Sequence, residues 1–213
     1  MAVEHVGIIP DGNRRWAKRN NKSIREAYER GYDRLENILK SLLKVGVDTV
    51  SVYALSRDNC IKRDSIELRF IYSIAVKAFQ RLRSNETLEE RRIRVNVIGD
   101  LSLLPVYLRK EVYETIKETS HREKGLLNIG LCYSPKWEIS YYVARGVKPP
   151  SSRIKPIDLL IRTGGARRIS GFFPLLLEYA EMYFTDTLWP DFTEEELWKA
   201  LSWFKSQKRN FGV

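Results

Sequence analysis

The chain alternates short apolar segments with longer amphipathic ones along its whole length, and this alternation constrains its fold more than any other feature. The short apolar segments, rich in β-branched residues, are predicted strands at 5–10, 48–56, 94–100, 126–133, 157–165 and 181–185. Apolar residues at helical spacing predict helices at 23–44, 64–84, 103–119, from about 135 onward and at 193–209. Strands separated by helices need crossover connections. We therefore predict a single α/β domain over residues 1–213, with a central, mostly parallel six-stranded sheet flanked by helices.

The charge of the chain limits the kind of partner it can have. The formal net charge is +10 over 213 residues, while the apolar and charged fractions are those of an ordinary globular protein. Such an excess favours an anionic partner: a nucleic acid, a phosphorylated small molecule or an acidic membrane surface. The sequence contains no RNP-like, zinc-finger or helix-turn-helix pattern, so we expect no nucleic-acid binding.

The cysteines and the N-terminus bear on location. Cys60 and Cys132 are far apart and fit no metal-site spacing, so we expect two reduced, buried thiols and a reducing compartment. No signal peptide is visible, and no window reaches the roughly 18 apolar residues that a membrane-spanning helix needs. The expected location is cytoplasmic, with at most a peripheral contact to a membrane surface.

In a parallel sheet flanked by helices, ligands bind at the carboxyl ends of the strands, so the loops that follow strands are the place to search. The loop after the first strand supplies Asp11, Gly12, Asn13, Arg14 and Arg15. The loop after the second strand supplies Ser56, Arg57, Asn59, Lys62 and Arg63. The loop after the fifth strand supplies Arg162, Thr163, Gly164, Gly165, Arg167, Arg168 and Ser170. Glycines and arginines in such loops are suited to binding phosphate groups.

Spacing alone leaves two interpretations of these loops open. Asp11 and Glu181, among so many cations, would suit a diphosphate with Mg²⁺, because magnesium prefers one or two carboxylates together with phosphate oxygens and water. Alternatively, Asp11 caps the helix that follows it and the arginines are simply solvated.

Longer stretches carry a resemblance to a known family. "HVGIIPDGNRRWAK", "YALSRDN", "VNVIGD", "IDLLIRTGGARRISGFFPLLLEYAEMYFTDTLWPDF" and the terminal "KRNFG" occur in the family's order. They resemble the signatures of the cis-prenyltransferases, the undecaprenyl diphosphate synthase family. The segment from Trp137 to Arg162 is short, and bacterial relatives have an extra helix there, so the chain looks like a short, archaeal-type member.

The resemblance implies a reaction and roles for residues. The reaction is the Mg²⁺-dependent condensation of isopentenyl diphosphate with an allylic prenyl diphosphate by a homodimer. Asp11 and Asn13 are the implied catalytic residues, and Asp11 and Glu181 the implied magnesium contacts, with Glu181 supplied across the dimer interface. The implied substrate-binding residues are Gly12, Arg14, Arg15, Trp16, Arg25, Tyr28, Ser56, Asn59, Lys62, Arg63, Arg162, Arg168 and Ser170.

The chain departs from the family pattern at several of these positions. Tyr28 replaces a histidine of the first helix, either as a ligand or as an ordinary helix-surface aromatic. Ile24 occupies the position of an arginine in the family, and its neighbour Arg25 is the candidate to reach the same phosphate. After Asn59, Lys62 or Arg63 must replace the arginine of the family's Trp-x-Arg-Pro.

The family also implies an apolar tunnel between two long helices and the sheet. Its candidate wall residues are Leu35, Leu39, Leu42, Ala75, Phe79 and Leu82, although ordinary core is the better-supported interpretation for most of them. The alternative functions are a non-catalytic partner subunit of the same family and, less favoured, a basic nucleic-acid-binding protein.

Overall fold

A computed structural model describes residues 2–209 of the chain. Its strands are β1 (His5–Ile9), β2 (Thr49–Ser56), β3 (Ile93–Ile98), β4 (Gly125–Tyr133), β5 (Leu159–Arg162) and β6 (Glu181–Phe184). They form one sheet in the order β3-β4-β2-β1-β5-β6, and every neighbouring pair is parallel. The predicted α/β fold with a six-stranded sheet is confirmed, and the sheet is parallel throughout. The last four residues, which include most of "KRNFG", lie outside the described part of the chain.

Between β5 and β6, residues 163–180 contain only the short 3-10 helix Pro174–Leu176, and every other connection between consecutive strands is made by α-helices. They are α1 (Asn13–Arg19), α2 (Ile24–Lys44), α3 (Arg57–Lys62), α4 (Ser65–Arg83), α5 (Glu86–Glu90), α6 (Val106–Thr119), α7 (Pro135–Val143) and α8 (Glu194–Ser206). The long helices match the predicted segments to within a few residues. The segments α3 and α5 were not predicted, because five or six residues are too few to show helical periodicity. No helix within residues 2–209 is long and apolar enough to cross a bilayer.

The strand order brings two chain segments together that are distant in sequence. β1 lies between β2 and β5, so the loop that leaves β1 is beside the loop that leaves β5. All residues of β1 and β5 are buried, as expected for central strands covered on both faces. The two faces of the sheet pack against separate apolar clusters, the larger of which includes residues of α2, α4, α6 and α8. The segments at 10–16 and 162–170 therefore meet at the carboxyl edge.

The two cysteines are joined, and the expectation of reduced thiols was wrong. Cys60 in α3 and Cys132 in β4 form a disulfide with their Cα atoms 5.7 Å apart. The bond closes a loop between two residues that are 72 positions apart in the sequence. Sequence spacing could not reveal this pairing, because only the packing of α3 over the carboxyl end of β4 brings the two sulfur atoms together. The inference of a reducing compartment rested on free thiols, so it loses its basis.

We predict that the Cys60→Ser/Cys132→Ser variant is less stable than the oxidised protein by about 4 kcal/mol, because the unfolded chain loses a cross-link that closes a long loop. Thermal unfolding of the protein with and without a reductant measures this difference. The double variant, which has no disulfide to reduce, is the control and should unfold at the same temperature in both conditions. An oxidised protein whose melting temperature is unaffected by full reduction would contradict the prediction.

Candidate active site

The loops after β1 and β5 meet at the carboxylate of Asp11. Arg15 donates a hydrogen bond from Nη2 to Oδ1 at 3.0 Å, and Arg162 donates from Nη2 to Oδ2 at 3.0 Å. The hydroxyl of Thr163 donates to the carbonyl oxygen of Asp11 at 2.8 Å and accepts from the Asp11 N–H at 3.0 Å. Asp11 is thus fixed at both its backbone and its side chain by the opposite loop.

Asp11 is not a helix cap. The N-cap residue of α1 is Gly12, which has a φ of 118° and makes no side-chain cap hydrogen bond. A Cβ atom at Gly12 would lie 2.9 Å from Cδ2 and 3.1 Å from Cα of Leu188, so the close approach of these segments requires glycine. The alternative interpretation of Asp11 as a simple cap is therefore wrong, and its carboxylate is committed to two arginines.

Arg162 organises the loop that follows β5. It is only 4 % exposed, and its Nη1 donates to the Ser170 hydroxyl at 2.9 Å and to the carbonyl oxygen of Arg168. Its buried Nε has no hydrogen-bond partner within residues 2–209. The residues Arg168 and Ser170 are exposed. Arg15 reaches the same loop, because its Nη1 donates to the carbonyl oxygen of Gly164 at 2.6 Å. The loop thus places a buried arginine behind a solvent-facing arginine and hydroxyl.

A second acid, Glu67 of α4, holds a second pair of arginines. The Nε of Arg14 lies 3.1 Å from both carboxylate oxygens of Glu67, and its Nη2 donates to Oε2. The Nη1 of Arg63 lies 3.3 Å from Oε1. Burial opposes the ionisation of Glu67, but the hydrogen bonds from Arg14 and Tyr28 outweigh it, so the pKa of this carboxyl lies below its ordinary value. Glu67 is therefore an anion among cations.

Tyr28 takes part in the same cluster. Its hydroxyl donates to Oε1 of Glu67 at 2.8 Å and accepts from Nη1 of Arg63 at 2.7 Å. Burial raises the pKa of Tyr28 to about 12. The interpretation of Tyr28 as an ordinary surface aromatic is therefore wrong, because its hydroxyl makes two specific contacts with charged groups.

An apolar cavity extends from these clusters between α2, α4 and the sheet. Its empty volume, with the open mouth included, is about 1200 Å³. Asn13 and Tyr28 line the end of the cavity nearest the two clusters, and side chains of β2 and β4 line its sheet side. Of the candidate wall residues, those that line the cavity are Leu35, Leu39, Ala75, Phe79 and Leu82. Leu42 is fully buried elsewhere in the core, and its neighbour Leu43 lines the cavity instead.

Asn13 lies where the polar loop meets this cavity. Its Oδ1 is buried and has no hydrogen-bond partner within residues 2–209. A Cβ atom on Gly31 would lie 2.6 Å from that oxygen, so the glycine in α2 provides the space that Asn13 occupies. A buried amide oxygen without a partner is costly. Its position at the cavity end marks it as a group available to a bound molecule.

Two of the predicted substrate-binding residues lie apart from these clusters. Trp16 is 7 % exposed, and its Nε1 donates to Asp191 at 2.8 Å, so it anchors α1 to the chain near residue 190. Arg25 lies on the exposed side of α2 and pairs with Glu29, with 2.9 Å between Nε and Oε1.

Four more predicted residues lie in the helix α3 or cap its ends: Ser56, Asn59, Lys62 and Arg63. Ser56 is its N-cap, and the hydroxyl accepts from the Asn59 N–H at 3.1 Å. Lys62 pairs with Asp58, and both side chains are 71 % exposed. Arg63, at the end of α3, pairs with Glu67, whereas Lys62 faces solvent.

Glu181 does not lie near Asp11 within one chain. In the parallel pair of β5 and β6, Glu181 is opposite Leu159, whereas Arg162 is opposite Phe184. Along β6, Glu181 therefore lies three residues, or about 10 Å, from the position opposite Arg162. Within residues 2–209, no three His, Cys, Asp or Glu side chains are grouped to hold a metal ion. One carboxylate, that of Asp11, would be enough to hold a magnesium ion if phosphate oxygens and water supplied the remaining ligands.

Sequence reasoning missed Glu67 and Thr163 as functional candidates. Thr163 lies in a loop that was already singled out, but its role depends on the pairing of β1 with β5. Glu67 follows Arg63 by four residues on a predicted helix, a spacing that permits an ion pair. That signal is weak, because most such pairs are solvated surface pairs, like that of Lys62 and Asp58.

Comparisons with known proteins agree with this geometry. The Prenyltransf family model, described as undecaprenyl diphosphate synthase, matches residues 9–212. A tritrans,polycis-undecaprenyl-diphosphate synthase (geranylgeranyl-diphosphate specific) of Aeropyrum pernix is 39% identical, over 97% of this chain and 97% of that protein. A protein of the same name from Sulfurisphaera tokodaii is 36% identical, over 99% of this chain and 88% of that protein.

A solved structure extends the comparison to three dimensions. The crystal structure of lavandulyl diphosphate synthase from Lavandula x intermedia, in complex with dimethylallyl diphosphate, superposes with a TM-score of 0.88. It is 27% identical and is aligned over 99% of this chain and 98% of that one. The sequence motifs, the parallel sheet and these matches lead to one conclusion: the chain belongs to the undecaprenyl diphosphate synthase family of prenyltransferases.

Proposed function

We propose that this chain condenses isopentenyl diphosphate with an allylic prenyl diphosphate to give a longer polyprenyl diphosphate. The observation that carries the proposal is the carboxylate of Asp11, which lies between Arg15 and Arg162 at the carboxyl ends of β1 and β5. This charged group lies next to an apolar cavity, so one region offers both a diphosphate site and a place for hydrocarbon. Membership of the prenyltransferase family supports the same reaction.

The reaction exchanges one carbon–oxygen bond for one carbon–carbon bond. The bond between the allylic carbon and its diphosphate breaks, and the diphosphate leaves with the electron pair. The double bond of isopentenyl diphosphate attacks the electron-poor allylic carbon, and a proton is lost to form the new double bond. Negative charge grows on the leaving diphosphate, so fixed cations near it lower the barrier.

The arginines at this edge of the sheet suit two diphosphates that must lie side by side, and the assignment divides the Asp11 cluster between them. Arg14 and Arg15, on α1 beside the cavity, are assigned to the allylic diphosphate together with the Gly12 backbone. Arg162, Arg168 and Ser170 are assigned to the diphosphate of isopentenyl diphosphate.

Asn13, with its free amide oxygen at the cavity end, is placed to position the departing proton. Ser56 and Asn59 at the start of α3 border the same edge of the sheet. Arg25, Lys62 and Trp16 lie apart from the clusters and have supporting roles at most.

Magnesium would be held by Asp11 together with phosphate oxygens of the substrate. When bound, the ion neutralises charge on the leaving diphosphate. The two arginine hydrogen bonds to Asp11 fix the direction of its carboxylate before substrate arrives.

Glu181 can contribute only from a second copy of the chain, since it lies at the other end of β6 from Arg162. We therefore propose a homodimer in which each Glu181 reaches the partner's site. A peripheral contact with an anionic membrane stays a prediction, supported by the charge of +10 and by the apolar character of a long product. The cytoplasmic location also stays a prediction, and the disulfide between Cys60 and Cys132 does not support it.

The starter that we propose is geranylgeranyl diphosphate, because the relatives from Aeropyrum pernix and Sulfurisphaera tokodaii are described as specific for it. The cavity would take its hydrocarbon chain, since burying each CH₂ group contributes about 0.8 kcal/mol. Comparing kcat/KM for ten-, fifteen- and twenty-carbon allylic starters tests this choice.

We predict that Asp11→Asn lowers kcat/KM for incorporation of labelled isopentenyl diphosphate by ~100-fold or more, because a charge that orients two arginines and a metal ion is lost. The assay measures butanol-soluble radioactivity with each starter. Asp33→Asn, which removes an exposed acid on α2, is the matched control and should retain full activity. A wild-type protein that incorporates nothing with any starter would instead favour the non-catalytic partner subunit.

We predict that Glu181→Gln, like Asp11→Asn, is inactive by itself and that mixing the two variants restores activity. A mixed dimer has one site with both native acids, so random exchange of subunits should return about a quarter of wild-type activity. Native mass spectrometry of the mixture verifies the exchange. Full exchange with no gain of activity would exclude a role for Glu181 across the interface.

We predict that Phe79→Ala lengthens the products and Ala75→Phe shortens them, because both residues line the cavity and change the space for hydrocarbon. Chromatography of the dephosphorylated products gives their length distribution. Leu42→Val removes volume from the core outside the cavity and should leave that distribution unchanged. The same distribution in all four proteins would place the growing chain elsewhere.

A further inference from the structure

One hydroxyl connects the second arginine cluster to the cavity. Tyr28 lines the cavity with its ring, while its hydroxyl is hydrogen-bonded to both Glu67 and Arg63. Arg14 completes the cluster through its bonds to Glu67. Four separate elements therefore meet here: α1 by Arg14, α2 by Tyr28, the end of α3 by Arg63 and α4 by Glu67. Of these four side chains, only that of Tyr28 is both neutral and able to donate and accept.

Exposure differs sharply among the members of the cluster. The side chains of Glu67 and Arg63 are 5% and 14% exposed, whereas that of Arg14 is 58% exposed. Arg14 uses Nε and Nη2 on Glu67, and its Nη1 makes no hydrogen bond within the described residues. The buried side of its guanidinium group is thus fixed, and the outer side is open to a ligand.

We propose that Tyr28 is a positioning residue for the allylic diphosphate, acting through Glu67 and Arg63 to hold the guanidinium group of Arg14 at the mouth of the cavity. The inference rests on the proposed function, since it names a residue that serves the same site. The hydroxyl of Tyr28 gives Glu67 a second hydrogen-bond donor beside Arg14, and it accepts from Arg63, which forms an ion pair with Glu67. Without it, the buried carboxylate and Arg63 each lose a partner, and an unpaired buried polar group is costly.

A tyrosine also makes this arrangement independent of pH near neutrality. The ionisable groups that face it are Glu67 from α4, Arg63 from α3 and Arg14 from α1, with Asp64 acting on Arg14. Arginine stays protonated throughout this range, the carboxylate of Glu67 stays ionised, and the pKa of Tyr28 is raised to about 12 by burial. An imidazole here would gain a charge near pH 6.5 and repel two arginines.

The first test is Tyr28→Phe, which removes the hydroxyl but keeps the ring in the cavity wall. We expect the KM for the allylic diphosphate to rise about tenfold, the cost of one hydrogen bond to a charged group. The KM for isopentenyl diphosphate should stay within about twofold, since its diphosphate is assigned to Arg162 and its neighbours. Tyr72→Phe, which removes another tyrosine hydroxyl from the helix of Glu67, is the matched control and should leave both KM values unchanged.

Two further variants separate positioning from general damage. Tyr28→His should make the allylic KM rise as pH falls through about 6.5, whereas the wild type and Tyr28→Phe should show no such change. Glu67→Gln and Tyr28→Phe should be non-additive in the double variant, because both act on Arg14 through one contact. Melting temperatures of all variants report whether the fold is intact.

The outcomes distinguish a failure of the proposed function from a failure of the positioning role of Tyr28. A wild-type protein that incorporates no isopentenyl diphosphate refutes the proposed function. An active wild type whose Tyr28→Phe variant behaves like Tyr72→Phe refutes the positioning role alone. An equal rise in KM for both substrates in Tyr28→Phe, together with a lower melting temperature, would show that Tyr28 only supports the fold. That result would also overturn the inference.

Discussion

The site depends on two carboxylates, each of which pairs with two arginines. Asp11 binds Arg15 and Arg162, and Glu67 binds Arg14 and Arg63, so four cations are collected in two clusters, each around one acid. Without an acid between them, guanidinium groups at this spacing would repel one another. With the acids in place, the arginines are oriented before any anion arrives, and their remaining donors can face one.

The parallel sheet makes this arrangement possible. β1 and β5 are neighbours only because the chain crosses over after β4, and their carboxyl ends bring the segments at 10–16 and 162–170 within hydrogen-bond distance. The second cluster forms where α1, α2, α3 and α4 converge above the same edge. The cavity lies between two of these helices and the sheet, and Asn13 and Tyr28 line it where it approaches the charged clusters.

Much of the fold and part of the site could be predicted from sequence. Alternation of strands and helices predicted the sheet, and the glycine- and arginine-rich loops after β1 and β5 predicted where to search for the site. The contact between Asp11 and Arg162 depends on the pairing of β1 with β5, which the sequence did not show. The disulfide and Glu67 could not be predicted, because Cys60 and Cys132 or Glu67 and Arg14 are brought together only by tertiary packing. Proximity in sequence also misled: Trp16 lies three residues from Asn13 yet faces the core.

The most direct measurement is a crystal structure of the protein with a thio analogue of an allylic diphosphate, in which the sulfur-linked diphosphate cannot leave. The account predicts phosphate oxygens within hydrogen-bond distance of Arg14 and Arg15, the reacting carbon beside Asn13 and the hydrocarbon chain between α2 and α4. A diphosphate bound away from both arginine clusters, or a hydrocarbon chain outside the cavity, would contradict it.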